Sequence, residues 1–420
     1  MPNDTTITRD LAAPYFTDAW WVSPMNFAPG AYPERLRQQE IYIHDVTLRD
    51  GEQSPGVAFK EDERIRIAVA LDEVGVHRIE VGMPIVSQGV FNAIKEIVNL
   101  GLRTEVVPQS RAEIDDVNRT METGAKAIII VHTINPLHCE HVFGLDTEAI
   151  INRINTTISH ARNQGLKAIF MGSDVFRTPL ENIREIYGRV ARESHPDAMV
   201  LTDTVGVAHP GAVRLVTEQV LDVAPGATLE FHGHNDFGLG MGCAVAAVEA
   251  GCTGIHTSFN GLGERTGNVP TEEFATAMRL LYDKDLGISL DKLSLVSEII
   301  ANIAQTPIRP GKPIVGSGLF EIESHIVAFI SQRMADLGLR TGMLPFVPEL
   351  VGQAPMRYAL GKWSGSAIID DYLSRLGIDA TEAQRARILN AVKDESRLQK
   401  ANLSERQFAR IVDAVLAADT

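Results

Sequence analysis

The sequence predicts a (β/α)8 TIM barrel followed by a mainly helical C-terminal region. Three observations predict it. Short β-branched or apolar runs recur at residues 41–46, 78–81, 104–107, 127–131, 168–170, 199–201, 229–231 and 254–259, with amphipathic stretches of helix length between them. Such alternation describes buried parallel strands covered by helices, either closed into a barrel or open and doubly wound. Eight units suit the closed form, and no strand is followed by the G-x-G-x-x-G of the dinucleotide fold. Polar residues also crowd at the carboxyl ends of the runs, where α/β barrels keep their chemistry.

Residues 1–40 form an N-terminal arm. It has no positive leader followed by an apolar core, so it does not read as a signal peptide. Its aromatic cluster, Tyr15, Phe16, Trp20, Trp21 and Phe27, is interrupted by Pro24 and Pro29. Such a cluster must cover something apolar, either the outside of its own barrel or a partner subunit. The barrel occupies 41–286, its helices expected at 61–74, 90–99, 111–122, 147–163, 180–193, 211–223 and 239–250. After Gly287 the chain turns helical, at 290–304, 321–337, 382–393 and 405–417, giving a subdomain over 287–420.

Composition narrows the partners. The 420 residues are 45% hydrophobic and 22% charged, an ordinary balance for a soluble globular chain. No apolar run approaches the ~20 residues that span a bilayer, so membrane insertion is not expected. A net charge of -15 argues against a nucleic-acid surface, which calls for a basic face, and leaves small molecules as partners. Cys139, Cys243 and Cys252 form no C-x-x-C pair and are too few for a disulfide framework, which fits a reducing, cytoplasmic setting.

The strand ends carry Arg49 and Asp50, Gln109, His132 and Thr133, Ser173 and Asp174, Asp203 and Thr204, His232 and His234, and Asn260. Each has a bland reading alone: Arg49-Asp50 as a surface ion pair, Thr204 as a helix cap, a single histidine as a core residue. Their convergence on one rim calls for a function. His232 and His234 stand two apart on a strand, so both side chains share a face. Closure brings the eighth strand beside the first, and the site can then gather Asp50, His232, His234 and Asn268. A carboxylate, two imidazoles and an amide suit a divalent Mg, Mn, Zn or Co ion.

Three stretches together, Thr47-Leu48-Arg49-Asp50-Gly51-Glu52-Gln53, His232-Gly233-His234-Asn235-Asp236 and Asn260-Gly261-Leu262-Gly263-Glu264-Arg265-Thr266-Gly267-Asn268, resemble the 2-isopropylmalate, homocitrate and citramalate synthase family of metal-dependent barrel enzymes, in the HMG-CoA lyase-like superfamily. The resemblance implies condensation of acetyl-CoA, or another acyl-CoA, with a 2-oxo acid, followed by thioester hydrolysis. It implies that Asp50, His232, His234 and Asn268 ligate the metal and that Arg49 is the catalytic arginine. Thr204 then helps hold the substrate carboxylate, Glu264 and Gly267 lie near the acyl donor, and Gln53, Gln109 and His132 help shape the substrate site. The chemistry agrees, because a divalent ion polarises a keto carbonyl while a planar, always charged guanidinium offers fixed donors to its oxygen.

The departures are informative. Ser173 stands where the family carries a glutamate, and Ile169 where homocitrate synthases place an arginine for the distal carboxylate of 2-oxoglutarate, which disfavours that substrate. The family's Gly-Ile-His aligns with His325-Ile326-Val327, so His325 is either a displaced catalytic base or a helix residue. Met343 replaces a tyrosine, and Trp363, in Gly361-Lys362-Trp363-Ser364-Gly365, replaces a histidine. The altered positions keep a second reading open, metal-dependent carbon-carbon cleavage of a 2-hydroxy acid or its thioester. The resemblance also implies a homodimer, the helical region of one subunit covering the barrel mouth of the other, and, with few residues after the last helix, a separate leucine-binding domain is not expected.

Overall fold

The structure, a computed structural model, describes residues 13–418. The chain divides into two compact units, one over residues 28–308 and the other comprising 13–27 with 309–418. The first is wider at both ends than the expected 41–286.

The first unit is the barrel. Its strands are β1 (Tyr42–Asp45), β2 (Arg78–Glu80), β3 (Glu105–Val107), β4 (Gln109–Arg111), β5 (Ala127–Thr133), β6 (Lys167–Ser173), β7 (Ala198–Asp203), β8 (Leu229–Gly233) and β9 (Gly254–Thr257). All the pairs are parallel, in the order β3-β2-β1-β9-β8-β7-β6-β5-β4. The first and last strands of that order are separated in sequence only by Pro108, so the sheet closes on itself there. Proline has no N–H for the ladder, and the third stave therefore divides: Glu105–Val107 pairs with β2, Gln109–Arg111 with β5. The single run expected at 104–107 is half of that stave.

Helices cover the barrel: α1 (Glu61–Val74), α2 (Gln88–Asn99), α3 (Ile114–Met121), α4 (Pro136–Phe143), α5 (Thr147–Asn163), α6 (Leu180–Glu193), α7 (Pro210–Val223), α8 (Gly240–Ala250), α9 (Thr271–Leu281) and α10 (Leu293–Ala304). α5 shows why they form. Asp146 caps its start, accepting from the Ala149 N–H at 2.8 Å, and Ile150, Ile151, Ile154, Ile158 and Ala161 recur every three or four residues on one buried stripe. Cutting Ile154 to alanine removes a fully buried side chain and costs about 2–5 kcal/mol.

The second unit pairs β10 (Glu321–Ile322) with β11 (Arg357–Tyr358) and adds α11 (His325–Asp336), α12 (Ser366–Leu376), α13 (Glu382–Gln399) and α14 (Glu405–Ala417). Its N-terminal piece carries the aromatic arm. Trp21 N–H donates to the Pro345 carbonyl at 3.0 Å and Val347 N–H to the Ala19 carbonyl at 2.8 Å, so the arm pairs with the C-terminal part of its own chain, while Trp21 keeps 42% of its surface exposed.

Candidate metal centre

A tight turn after β1 presents Arg49 and Asp50. The Val46 carbonyl accepts from the N–H groups of Arg49, Asp50 and Gly51 at 3.1, 2.9 and 3.1 Å. Asp45 Oδ1 accepts from the Thr47 N–H at 2.9 Å, and Thr47 Oγ1 from the Phe259 N–H at 2.9 Å. The turn is thus tied to the loop after β9. That loop doubles back through Gly267, which sits at φ 90° against the Gly261 carbonyl where no Cβ fits. The reversal lays Asn268 antiparallel to His234.

Four predicted residues meet in one place, all buried. Asp50 Oδ2 lies 3.3 Å from His232 Nε2 and 3.4 Å from His234 Nε2, and the two Nε2 atoms are 3.3 Å apart. Donor atoms around an ion with bonds of about 2.0–2.2 Å stand roughly 2.8–3.6 Å apart, and all three edges fall in that window. Asn268 Nδ2 donates to the same carboxylate oxygen at 2.8 Å, while its Oδ1 is buried without a hydrogen-bond partner. A half-turn of the amide would offer that oxygen instead.

The electrostatics favour ligand forms. Burial acts to raise the Asp50 carboxyl, but Arg49 and the two imidazoles outweigh it and hold it well below the usual carboxylate range. Burial lowers His232, and burial with the neighbouring His232 brings His234 down to about 4, so both imidazoles stay neutral and able to ligate.

Arg49 is fixed by a residue that sequence reasoning missed. Its Nε and Nη2 donate to Glu80 Oε1 and Oε2 at 2.6 and 3.3 Å, with Nη1 reaching Gln53 Oε1 at 3.3 Å and standing 3.6 Å from Asp50 Oδ1. Glu80 is fully buried, and Arg49 holds it below its ordinary pKa against burial. A signal existed: a charged residue inside a strand that otherwise reads as buried must have a partner. Arg265 was also missed; it pairs with Asp236 at 2.9 Å and donates to the Thr204 carbonyl at 2.7 Å, joining the loops after β7, β8 and β9.

The other predicted residues are spread more widely. His132, Ser173 and Thr204 line one cavity of about 540 Å³ at the carboxyl ends of β4 to β7, with Val131, Phe143 and Arg153. Thr204 Oγ1 accepts from the Asp174 N–H at 2.7 Å and lies 3.2 Å from Ser173 Oγ. Gln109 is buried, its Nε2 3.5 Å from Met171 Sδ. Glu264 is exposed and paired with Arg265 at 3.4 Å. His325 is exposed at the start of α11, in the other unit, its N–H on the Trp363 carbonyl at 3.1 Å.

Fold and site define a parallel (β/α)8 barrel with a histidine-carboxylate centre and a clamped arginine at the carboxyl rim. Residues 40–300 match the HMGL-like family, and the chain belongs to it. It is 35% identical to homocitrate synthase AksA of Methanothermobacter thermautotrophicus over 94% of this chain and 98% of the relative. It is 34% identical to a putative (R)-citramalate synthase of Methanopyrus kandleri, over 84% of this chain and 68% of the relative. With the 2-isopropylmalate synthase of Methanocaldococcus jannaschii the figure is 35%, over 81% of this chain and 64% of the relative. Among solved structures, the HMG-CoA lyase of Bacillus subtilis superposes with a TM-score of 0.60 at 19% identity, covering 68% of this chain and 99% of that one. This last likeness is one of fold.

Proposed function

We propose that this chain is a metal-dependent enzyme condensing acetyl-CoA, or another acyl-CoA, with a 2-oxo acid. The observation that carries the reading is the convergence of Asp50, His232 and His234 on one point, with Arg49 held beside it by Glu80. Relatives named homocitrate, citramalate and 2-isopropylmalate synthase support it. A divalent ion held by Asp50, His232, His234 and Asn268 would supply Lewis-acid polarisation of the keto carbonyl. Arg49 contributes donors to the oxygen on which charge develops, and because Glu80 fixes its plane it needs no reorganisation during the reaction. Thr204, Ser173 and His132 line the cavity at the carboxyl ends of β4 to β7, which we take as the place of the substrate's side chain. His325 remains our candidate for the base, reached in a homodimer.

The substrate is a 2-oxo acid with a short or apolar side chain. Ile169 lies in an apolar cluster with Val107, Ile129, Met171 and Val200, so no cation stands there for a distal carboxylate. Of the cavity's arginines, Arg111 is paired with Asp116 at 2.7 Å and Arg153 with Glu113 at 3.2 Å. The test is release of free CoA from acetyl-CoA with Mn²⁺ or Mg²⁺ and a panel of 2-oxo acids that includes 2-oxoglutarate. Silence across the panel with metal bound would sink the condensation; preferred turnover of 2-oxoglutarate would sink the substrate assignment. A 2-oxo acid released from a 2-hydroxy acid, with no condensation, would favour cleavage.

A further inference from the structure

The barrel holds a second group of two imidazoles and a carboxylate, His44, Glu230 and His256, all fully buried. It lies one layer beneath the metal centre. His44 on β1 is in register with His256 on β9, and Glu230 precedes His232 by two residues on β8, on the same face. Glu230 Oε2 is 2.7 Å from His256 Nε2 and 3.2 Å from His44 Nδ1. Its Oε1 accepts from the Tyr42 hydroxyl at 2.7 Å and from Arg78 Nη1 at 2.6 Å. The His44 and His256 rings lie 4.2 Å apart at 32°. Gly254 makes room for this, since a Cβ there would meet Tyr42 and Glu230 at 2.6 and 2.7 Å.

The two groups have the same composition and different geometry. The upper one has three open edges of 3.3–3.4 Å around an ion-sized point. The lower one is drawn together by a hydrogen bond of 2.7 Å and already carries the Arg78 cation on its carboxylate, so it is a hydrogen-bonded hub. What it serves is visible at His232. A ligating imidazole almost always donates its second N–H to a carboxylate, carbonyl or water, which fixes the ring. His232 Nδ1 is buried and has no such partner. Against the His232 ring stands His256 instead, at 5.4 Å and 89°.

We propose that His256, anchored by Glu230 and stacked on His44, is a positioning residue of the metal centre: its clamped ring sets the plane of His232 and so aims Nε2 at the point shared with Asp50 and His234. The proposal rests on the metal reading above.

The experiment titrates full-length, metal-stripped protein with Mn²⁺, reading free Mn²⁺ by electron paramagnetic resonance, alongside thermal unfolding of the metal-free chains. The wild-type chain is expected to bind one ion and Asp50→Asn none. His256→Leu should weaken Mn²⁺ binding by roughly 10–100-fold, the usual cost of losing an outer-shell partner, and His256→Phe, which keeps a ring without its anchor, by less. A merely structural role would lower the unfolding temperature and leave Mn²⁺ affinity at the wild-type value; that result overturns the proposal alone. Two ions in the wild type, one lost in His256→Leu, would overturn it by making the hub an ion site. A wild-type chain that binds no ion overturns the metal reading and this proposal with it. Where His256→Leu does not fold, His256→Phe decides: weakened binding supports the proposal and wild-type affinity overturns it.

Discussion

Replacing Glu80 by glutamine tests whether Arg49 acts as a pre-positioned donor. The substitution keeps the size of the side chain and one carbonyl acceptor but removes the charge, and it turns an N–H₂ toward one of the two guanidinium nitrogens now bonded at 2.6 and 3.3 Å. Glu80 is fully buried and the Arg49 side chain is 10% exposed, so solvent cannot replace what is lost. Removing one partner of a buried pair costs about 3–5 kcal/mol, and one charge-assisted hydrogen bond about 1.5–3 kcal/mol. Because glutamine retains an acceptor, and Asp50 and Gln53 still face Arg49, the expected loss is about 2–4 kcal/mol. At roughly 2 °C per kcal/mol for a large domain, the unfolding temperature should fall by about 4–8 °C. Turnover should fall further than stability alone requires, by about 100-fold in kcat with KM little changed, since a misaligned donor costs in the transition state rather than in substrate binding. Steady-state CoA release below the unfolding range, with metal content measured on the same sample, reads both effects. A variant that unfolds 4–8 °C earlier yet keeps kcat within threefold of the wild type would refute the reasoning, because Arg49 would then hold its place without Glu80.

Asp50→Asn should abolish high-affinity divalent-ion binding and CoA release together, whereas Gln53→Ala, which loses only a 3.3 Å contact at an exposed position, should change kcat by less than about tenfold; elemental analysis and the thiol assay check both. Asp45 is fully buried, and burial raises its carboxyl to about 7. Its folded-state pKa therefore lies above the unfolded value near 3.9, so the stability it contributes is present below pH 4 and is lost as pH rises through 7, by roughly 4 kcal/mol. Urea unfolding between pH 4 and 8 should show that decline in the wild type and a shallower one in Asp45→Asn; equal slopes would exclude Asp45 as its source. Gly254→Ala should destabilise by about 1–3 kcal/mol through overpacking against Tyr42 and Glu230, read as a lower urea midpoint at unchanged slope.

The parts of this molecule legible in its sequence are those set by local pattern. Helix periodicity gave Thr147–Asn163, Leu180–Glu193 and Glu405–Ala417 to the residue, because the apolar stripe of each lies within one segment, with side-chain caps from Asp146 and Ser404 on the first and last. Period two placed His232 and His234 on one face, and barrel closure put Asp50 beside them. Features depending on distant pairing were not legible. The division of the third stave at Pro108 follows from which neighbour each half finds, and α4, α9 and α12 were not foreseen. Glu80, His44, Glu230 and His256 looked like isolated polar residues in four strands until the register aligned them. The aromatic arm offered only its apolarity, and that does not say which surface takes it up.

That alignment gives the barrel interior two unlike walls. Along β1, β2, β8 and β9 the buried and half-buried charges run in contact, Asp50 beside Arg49, Arg49 on Glu80, and Glu230 on Arg78. Each such group costs several kcal/mol to bury alone, and the cost is offset only because its neighbour has the opposite sign. Across the barrel, Val107, Ala127, Ile129, Ile169, Met171, Ala198 and Val200 form an apolar cluster free of charge. Such division suits a site that must hold a charged, chelating head group rigidly while accepting a side chain by shape. It also makes the two walls separately adjustable. Substitutions among Ile129, Ile169 and Met171 should change which 2-oxo acid is taken, at a cost of about 1–3 kcal/mol per methylene mismatch, and leave Mn²⁺ affinity unaltered. A chain such as Ile169→Ala that lost ion affinity along with its substrate preference would show that the walls are coupled.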